Sequence, residues 1–237
     1  PDTNGLRFLQ DDCQYQRLTE SATTTPEMCN SLSTDMSKKL CNTYLATLLN
    51  REDLCYTEAC RGTVAVQKND LPLCNTISDQ NIKNWCIGRV TKSVSTCGLI
   101  VGAPVDWWQA ECLSYVGLAT KDVTICDGIS VVTEYKSVCT AVLKNRPEDC
   151  SGDSFCLTQV AMIKGDALIC NQIDAGNSSV SMGYAEKQTC FALVKRDTFQ
   201  CDAMDSTVFK YAKHDCRKQV NLLNASGVRD VRGNFLD

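Results

Sequence analysis

The chain has 237 residues, a net charge of −4 and 17 cysteines beside a single histidine, His214. That length suits one domain with its own core, and an acidic balance with scattered Lys and Arg excludes a nucleic-acid surface. Structural metal sites are built from close C-x2-C pairs and histidines; the sequence has no C-x2-C, so the cysteines read as disulfides made in an oxidising compartment, and neither a metal nor another cofactor is expected. No apolar run approaches the roughly 18 residues that signal a membrane span. Pro1 stands where a methionine would, so removal of a secretory leader is expected, with the extracellular space or the cell surface as the location.

In chain order, residues 1–12 form an N-terminal tail ahead of the cysteines, and residues 13–59 carry Cys13, Cys29, Cys41 and Cys55 on N-terminal helices. Three units follow, 60–111, 112–155 and 156–215. Each opens on a long arm with two cysteines 14 positions apart: Cys60 and Cys74, Cys112 and Cys126, Cys156 and Cys170. In each, an Asp lies four before the second cysteine (Asp70, Asp122, Asp166) and an Ile three after it (Ile77, Ile129, Ile173). Each unit then has a shorter arm with cysteines 11 apart: Cys86 and Cys97, Cys139 and Cys150, Cys190 and Cys201. Residues 216–224 start a last helix at Cys216 that meets no further cysteine, and 225–237 form a C-terminal tail.

The first cysteine of each arm, its opener, is followed four positions on by an apolar residue, as in Leu45, Val64, Val116 and Val220. That spacing puts both on one helical face. The next residue is small in the long arms (Ala46, Ala65, Gly117, Ala161), which predicts long arms as inner helices and short arms as outer ones. Before the second cysteine, the closer, stand helix stops and starts: Asn69-Asp70-Leu71-Pro72, Arg146-Pro147 and Gly165-Asp166. Each arm therefore reads as a helix of about ten to twelve residues followed by a tight turn. The expected fold is all-α: a single domain, 1–237, built as a disulfide-stapled helical-hairpin repeat array, α-solenoid-like. Over roughly 41–220 the layout resembles tetratricopeptide-like helical-hairpin repeats, without their W-x2-L-G-x2-Y signature; it also resembles cysteine-rich helical repeats of secreted microbial proteins. The resemblance is one of architecture alone and implies no active site.

Two pairings suit this pattern. In one, each closer joins the opener of the next helix: Cys29–Cys41, Cys55–Cys60, Cys74–Cys86, Cys97–Cys112, Cys126–Cys139, Cys150–Cys156, Cys170–Cys190 and Cys201–Cys216, with Cys13 unpaired or intermolecular. In the other, each arm closes on itself and Cys216 is left over. Helical rise of about 1.5 Å per residue against a Cα–Cα limit near 7 Å favours the first. With an odd count, full oxidation implies a symmetric dimer through one cysteine, whereas a head-to-tail polymer leaves a thiol free.

No catalytic constellation emerges. His214-Asp215-Cys216 reads as a surface histidine at a helix start, and no G-x-S-x-G, phosphate loop or calcium loop is present, so the protein is not expected to be an enzyme. Packing of both Trp107 and Trp108 in a repeat junction is the first expectation for that pair, an interface or sugar-binding surface the second; the insertion between Cys170 and Cys190, with Tyr184, suits an exposed loop. Asn177 and Asn224 head N-glycosylation sequons. The tail residues Val228, Val231, Phe235 and Leu236 are expected to dock on a neighbouring copy. The leading expectation is a structural subunit of an extracellular filament or surface assembly, a head-to-tail homopolymer bearing N-glycans. The alternative is a secreted non-enzymatic module binding a protein or carbohydrate in a solenoid groove.

Overall fold

The computed structural model describes residues 14–19, 24–102, 106–130, 132–176 and 181–226, with no side chain described at 225 and 226. Cys13, Asn177, Val228, Val231, Phe235 and Leu236 lie outside the described residues. Among those described, every regular element is helical. Helix α1 covers 14–19, and eight long helices of 11 to 17 residues follow, interspersed with short ones. The long helices are α3 (Asp35–Leu49), α4 (Glu58–Lys68), α6 (Gln80–Thr91), α8 (Asp106–Thr120), α10 (Thr133–Lys144), α11 (Ser154–Lys164), α12 (Met182–Lys195) and α14 (Lys210–Ser226). The closers ride on the short ones: α2 (Pro26–Asn30), α5 (Leu71–Asn75), α7 (Val94–Cys97), α9 (Val123–Asp127), α13 (Phe199–Asp202) and the 3₁₀ turns Pro147–Cys150 and Ala167–Gln172. Cys55 directly follows a further 3₁₀ turn, Glu52–Leu54.

The long helices end alike. Five residues before each closer from Cys55 onward the backbone turns left-handed, at Asn50, Asn69, Lys92, Lys121, Asn145, Gly165 and Arg196, with φ between 52° and 65°. The following residue sends its N–H back to a carbonyl five positions earlier: Arg51 to Ala46, Asp70 to Ala65, Ser93 to Gly88, Asp122 to Gly117, Arg146 to Ala141, Asp166 to Ala161 and Asp197 to Ala192, at 2.8–3.0 Å. This is the Schellman end of a helix. The same residue starts the short helix. The side chains of Asp70, Ser93, Asp122 and Asp166 accept N–H bonds from Leu73, Thr96, Thr124 and Leu168. Three residues beyond six of the eight closers an apolar plug is buried: Leu32, Ile77, Ile100, Ile129, Ile173 and Met204.

Measured from the closer, long and short arms are therefore the same. The small residue stands nine before it in both, as Ala46, Ala65, Gly117 and Ala161 or as Gly88, Ala141 and Ala192. Its role is visible at the glycines. A Cβ on Gly88 would lie 2.7 Å from Cys112 Sγ, and one on Gly117 3.0 Å from Cys139 Sγ. The small residue thus makes room for the next disulfide. The expected division into inner and outer helices does not hold. Substantial contacts between long helices run only between sequence neighbours, and α14 packs back on α3. Leu222 of α14 lies against the Tyr44, Leu45 and Leu48 cluster of α3. The long helices form a closed ring, so the last one has a partner within its own chain.

Eight disulfides tie the ring. Each joins a closer to the opener of the following long helix, from Cys29–Cys41 to Cys201–Cys216. Cα–Cα separations of 5.5–5.8 Å show that the short helix brings the closer within reach without distorting either backbone.

Candidate binding cavity

The inward faces of the ring line an open cavity of about 1010 Å³. Its wall is assembled mostly from the N-terminal halves of successive helices: Ala59 and Thr63 of α4, Ile82 and Trp85 of α6, Trp107, Trp108 and Glu111 of α8, Glu134 and Tyr135 of α10, and Phe155 of α11. Opposite, α3 contributes Leu40, Thr43, Tyr44 and Thr47, whose 3–4 residue spacing is one helical stripe. Lys218 and Leu222 of α14 and Tyr15 of α1 complete it. All three tryptophans of the chain line this one cavity.

The wall is divided electrostatically. On the α3–α14 side, Lys218 Nζ lies 5.6 Å from the ring centres of both Tyr15 and Tyr44 and donates to the Tyr15 hydroxyl at 3.1 Å. Behind the α6–α8 side, fully buried Arg89 sits between the rings of Trp85 and Tyr115, at 4.7 and 4.6 Å. It faces Glu111 across 3.4 Å, with both side chains withdrawn from water. Buried ion pairs of this kind do more to fix geometry than to add stability, whereas loss of one partner leaves a costly bare charge. The α8–α10–α11 side carries Glu134 and Asp153, which form no salt bridge with any described residue. Asp153 caps α11 through the Cys156 N–H at 2.7 Å. Two edge-to-face ring pairs stand on this side: Trp107 on Trp108, centres 5.1 Å apart, and Tyr135 on Phe155, at 5.8 Å.

Two wall residues carry buried polar atoms without a hydrogen-bond partner among the described residues, the Tyr44 hydroxyl and Trp85 Nε1. Their side chains are only 4 % and 8 % exposed. Burial holds the Tyr44 phenol above the usual tyrosine range. Unmade bonds of this kind cost about 1–3 kcal/mol each. Val132, also in the wall, has φ 52°, a conformation that β-branched residues adopt only under constraint.

Trp107 is 44 % exposed and Trp108 half-buried, and both face the cavity. His214 is not the surface residue expected: it is buried in α14, its Nε2 3.2 Å from Thr19 Oγ1 of α1, and it lies outside the cavity wall. Tyr184 does not stand in an exposed loop, because α12 already begins at Met182 and the ring packs on the Phe209 and Val220 cluster. Asn224 is exposed on α14, its side-chain amide donating to the Arg196 carbonyl. Among the described residues no group of three or more His, Cys, Asp or Glu side chains is placed to hold a metal, and no helix is long and apolar enough to cross a membrane. The wall residues that sequence reasoning missed, Tyr44, Trp85, Tyr135 and Phe155, read locally as ordinary core positions. Comparison with known proteins finds no matching family model, no matching curated sequence and no matching solved structure.

Proposed function

We propose that this protein is an extracellular, non-enzymatic binding module whose ligand is a small organic molecule held in the central cavity. The observation that carries this is the gathering of all three tryptophans, with Tyr44, Tyr135 and Phe155, around one space of ligand size. Aromatic walls with a few placed polar groups are the usual lining of small-molecule sites. The disulfides support an extracellular setting, where they persist, and they hold the wall rigid before the ligand arrives.

End-to-end stacking into a filament is favoured where the last helix of an array lacks a partner. Here α14 packs on α3, which removes that support, and the tail residues Val228, Val231, Phe235 and Leu236 are the remaining candidates for contact between copies. The discriminating experiment titrates the unreduced full chain with the uncharged apolar dye N-phenyl-1-naphthylamine and follows energy transfer from tryptophan. One saturable site per chain, weakened by Trp107→Ala, is expected, with discrete particles in electron micrographs. Absence of saturable binding, together with regular filaments, would return the chain to the structural class.

A further inference from the structure

Among the described residues of the cavity wall, Lys218 of α14 is the one basic side chain. Its Nζ donates to the Tyr15 hydroxyl at 3.1 Å and lies 5.6 Å from the ring centres of Tyr15 and Tyr44. Those partners hold the ammonium without cancelling its charge, and it is in no salt bridge with a described residue. An ammonium has three donors, and one is used. Beside it the Tyr44 hydroxyl, withdrawn from water, makes no hydrogen bond among the described residues, and burial keeps the phenol protonated. The wall's other unmade bond, at Trp85 Nε1, also belongs to a donor. The carboxylates of Glu134 and Asp153, by contrast, are exposed on the α10–α11 side, where hydration satisfies them and salt screens their charge. The groups held away from water therefore call for an acceptor, and Lys218 for a negative one.

We infer that the α3–α14 side of the cavity binds an organic acid, a carboxylate on an apolar body. The inference rests on the binding reading above and names its ligand class. A charge held away from water is stabilised by an opposite one, and a charge-assisted hydrogen bond is about twice as strong as a neutral one. A carboxylate brings two acceptor oxygens. One takes the Lys218 ammonium and the other the Tyr44 hydroxyl, whose ring the ammonium overlies. The apolar body lies along wall residues that remain accessible, Leu40 of α3 and Trp107 of α8. A neutral alcohol forfeits the charge, and an amine sets like charge against Lys218.

The test uses three ligands of one shape: octanoate, octanol and octylamine. Because every tryptophan of the chain lines the cavity, intrinsic fluorescence of the full chain reports this site. At neutral pH and low salt octanoate binds about tenfold or more tightly than octanol, as a charge-assisted hydrogen bond supplies, and octylamine gains nothing over octanol. Lys218→Met, which keeps the length of the side chain, removes the preference for octanoate and leaves octanol unchanged; Lys218→Arg retains the preference. Tyr44→Phe weakens octanoate severalfold without lowering the stability of the unliganded chain, because it deletes a hydroxyl that has no partner there. Dye binding shows that each variant is folded. Equal affinity for octanoate and octanol, or a preference that survives Lys218→Met combined with Tyr44→Phe, overturns the acid assignment while the dye still shows a ligand cavity. If neither the dye nor any of the three ligands binds, both readings fall together.

Discussion

Gly88 and Gly117 occupy the same place on successive helices, nine residues before a closer, where five other arms carry alanine. The space above them differs. A methyl on Gly88 meets two sulfurs at 2.7 and 2.8 Å, and one on Gly117 meets them at 3.0 and 3.1 Å. The first separations are shorter than packed atoms tolerate, so the Cys97–Cys112 bridge must shift. Gly88→Ala is therefore expected to destabilise by about 1–3 kcal/mol, the usual cost of overpacking. At Gly117 a few tenths of an ångström of adjustment are offset by the better helix propensity of alanine, about 1 kcal/mol. Gly117→Ala is expected to stay near the parent. Guanidinium denaturation of the unreduced proteins, read by circular dichroism, separates the two cases.

At the level of the helix, the shared ending invites two measurements. Lys92, Lys121 and Arg196 hold left-handed backbone that Gly165 holds without a Cβ penalty. Replacing the three by glycine is expected to stabilise by about 0.5–1 kcal/mol each and to raise the thermal midpoint; a fall would mean that their side chains make stabilising contacts. The second measurement is pH dependence. Glu58 of α4 accepts the backbone N–H groups of Ser78 and Asp79 at 2.8 and 2.7 Å and ties α4 to the start of α6. Those bonds hold its carboxyl below the usual range. The hydroxyls of Thr124 and Thr207, followed by their backbone N–H groups, do the same for Asp122 and Asp205. A carboxylate whose pKa is depressed by folding stabilises above its unfolded pKa, near 4, and loses that contribution as pH falls through the folded value. The denaturation midpoint is expected to be level above about pH 5 and to decline below about pH 4. The variant Glu58→Gln, Asp122→Asn, Asp205→Asn should show a shallower decline.

For the molecule as a whole, the staples and the ring act on different states. A disulfide acts chiefly on the unfolded chain, and more when it closes a longer loop. Cys55–Cys60 spans 5 positions and Cys170–Cys190 spans 20. Chain-entropy reasoning gives about 2 kcal/mol for the first and about 3 kcal/mol for the second. Paired alanine substitutions at each bridge should fall in that order, and a reversal would show that the short bridge braces the native wall. Ring closure through α14 and α3 is a folded-state property. It places residues far apart in sequence, such as Tyr44 and Lys218, on one wall, and so makes the cavity depend on both ends of the array.

Much of the helical framework could be read from local sequence. The opener and the apolar residue four on share a face because the helical period requires it. Gly165-Asp166 and Asn69-Asp70 stop one helix and start the next because left-handed backbone and an N-cap favour those residues. The sequential order of the bridges follows from reach: a closer one turn past its own helix lies beside the next. Lys92, Lys121 and Arg196 gave no such signal, since lysine and arginine have no preference for the left-handed region. Ring against open array was beyond local reading as well. Curvature depends on how eight helices pack in succession, and small angles between neighbours add up without leaving a mark at any one residue. The cavity inherits that limit. Trp107 and Trp108 stand out as adjacent tryptophans, but Tyr44, Trp85, Tyr135 and Phe155 have the helical spacing of core residues. Only closure of the ring, which turns the inward faces of distant helices toward one space, decided that they line a site.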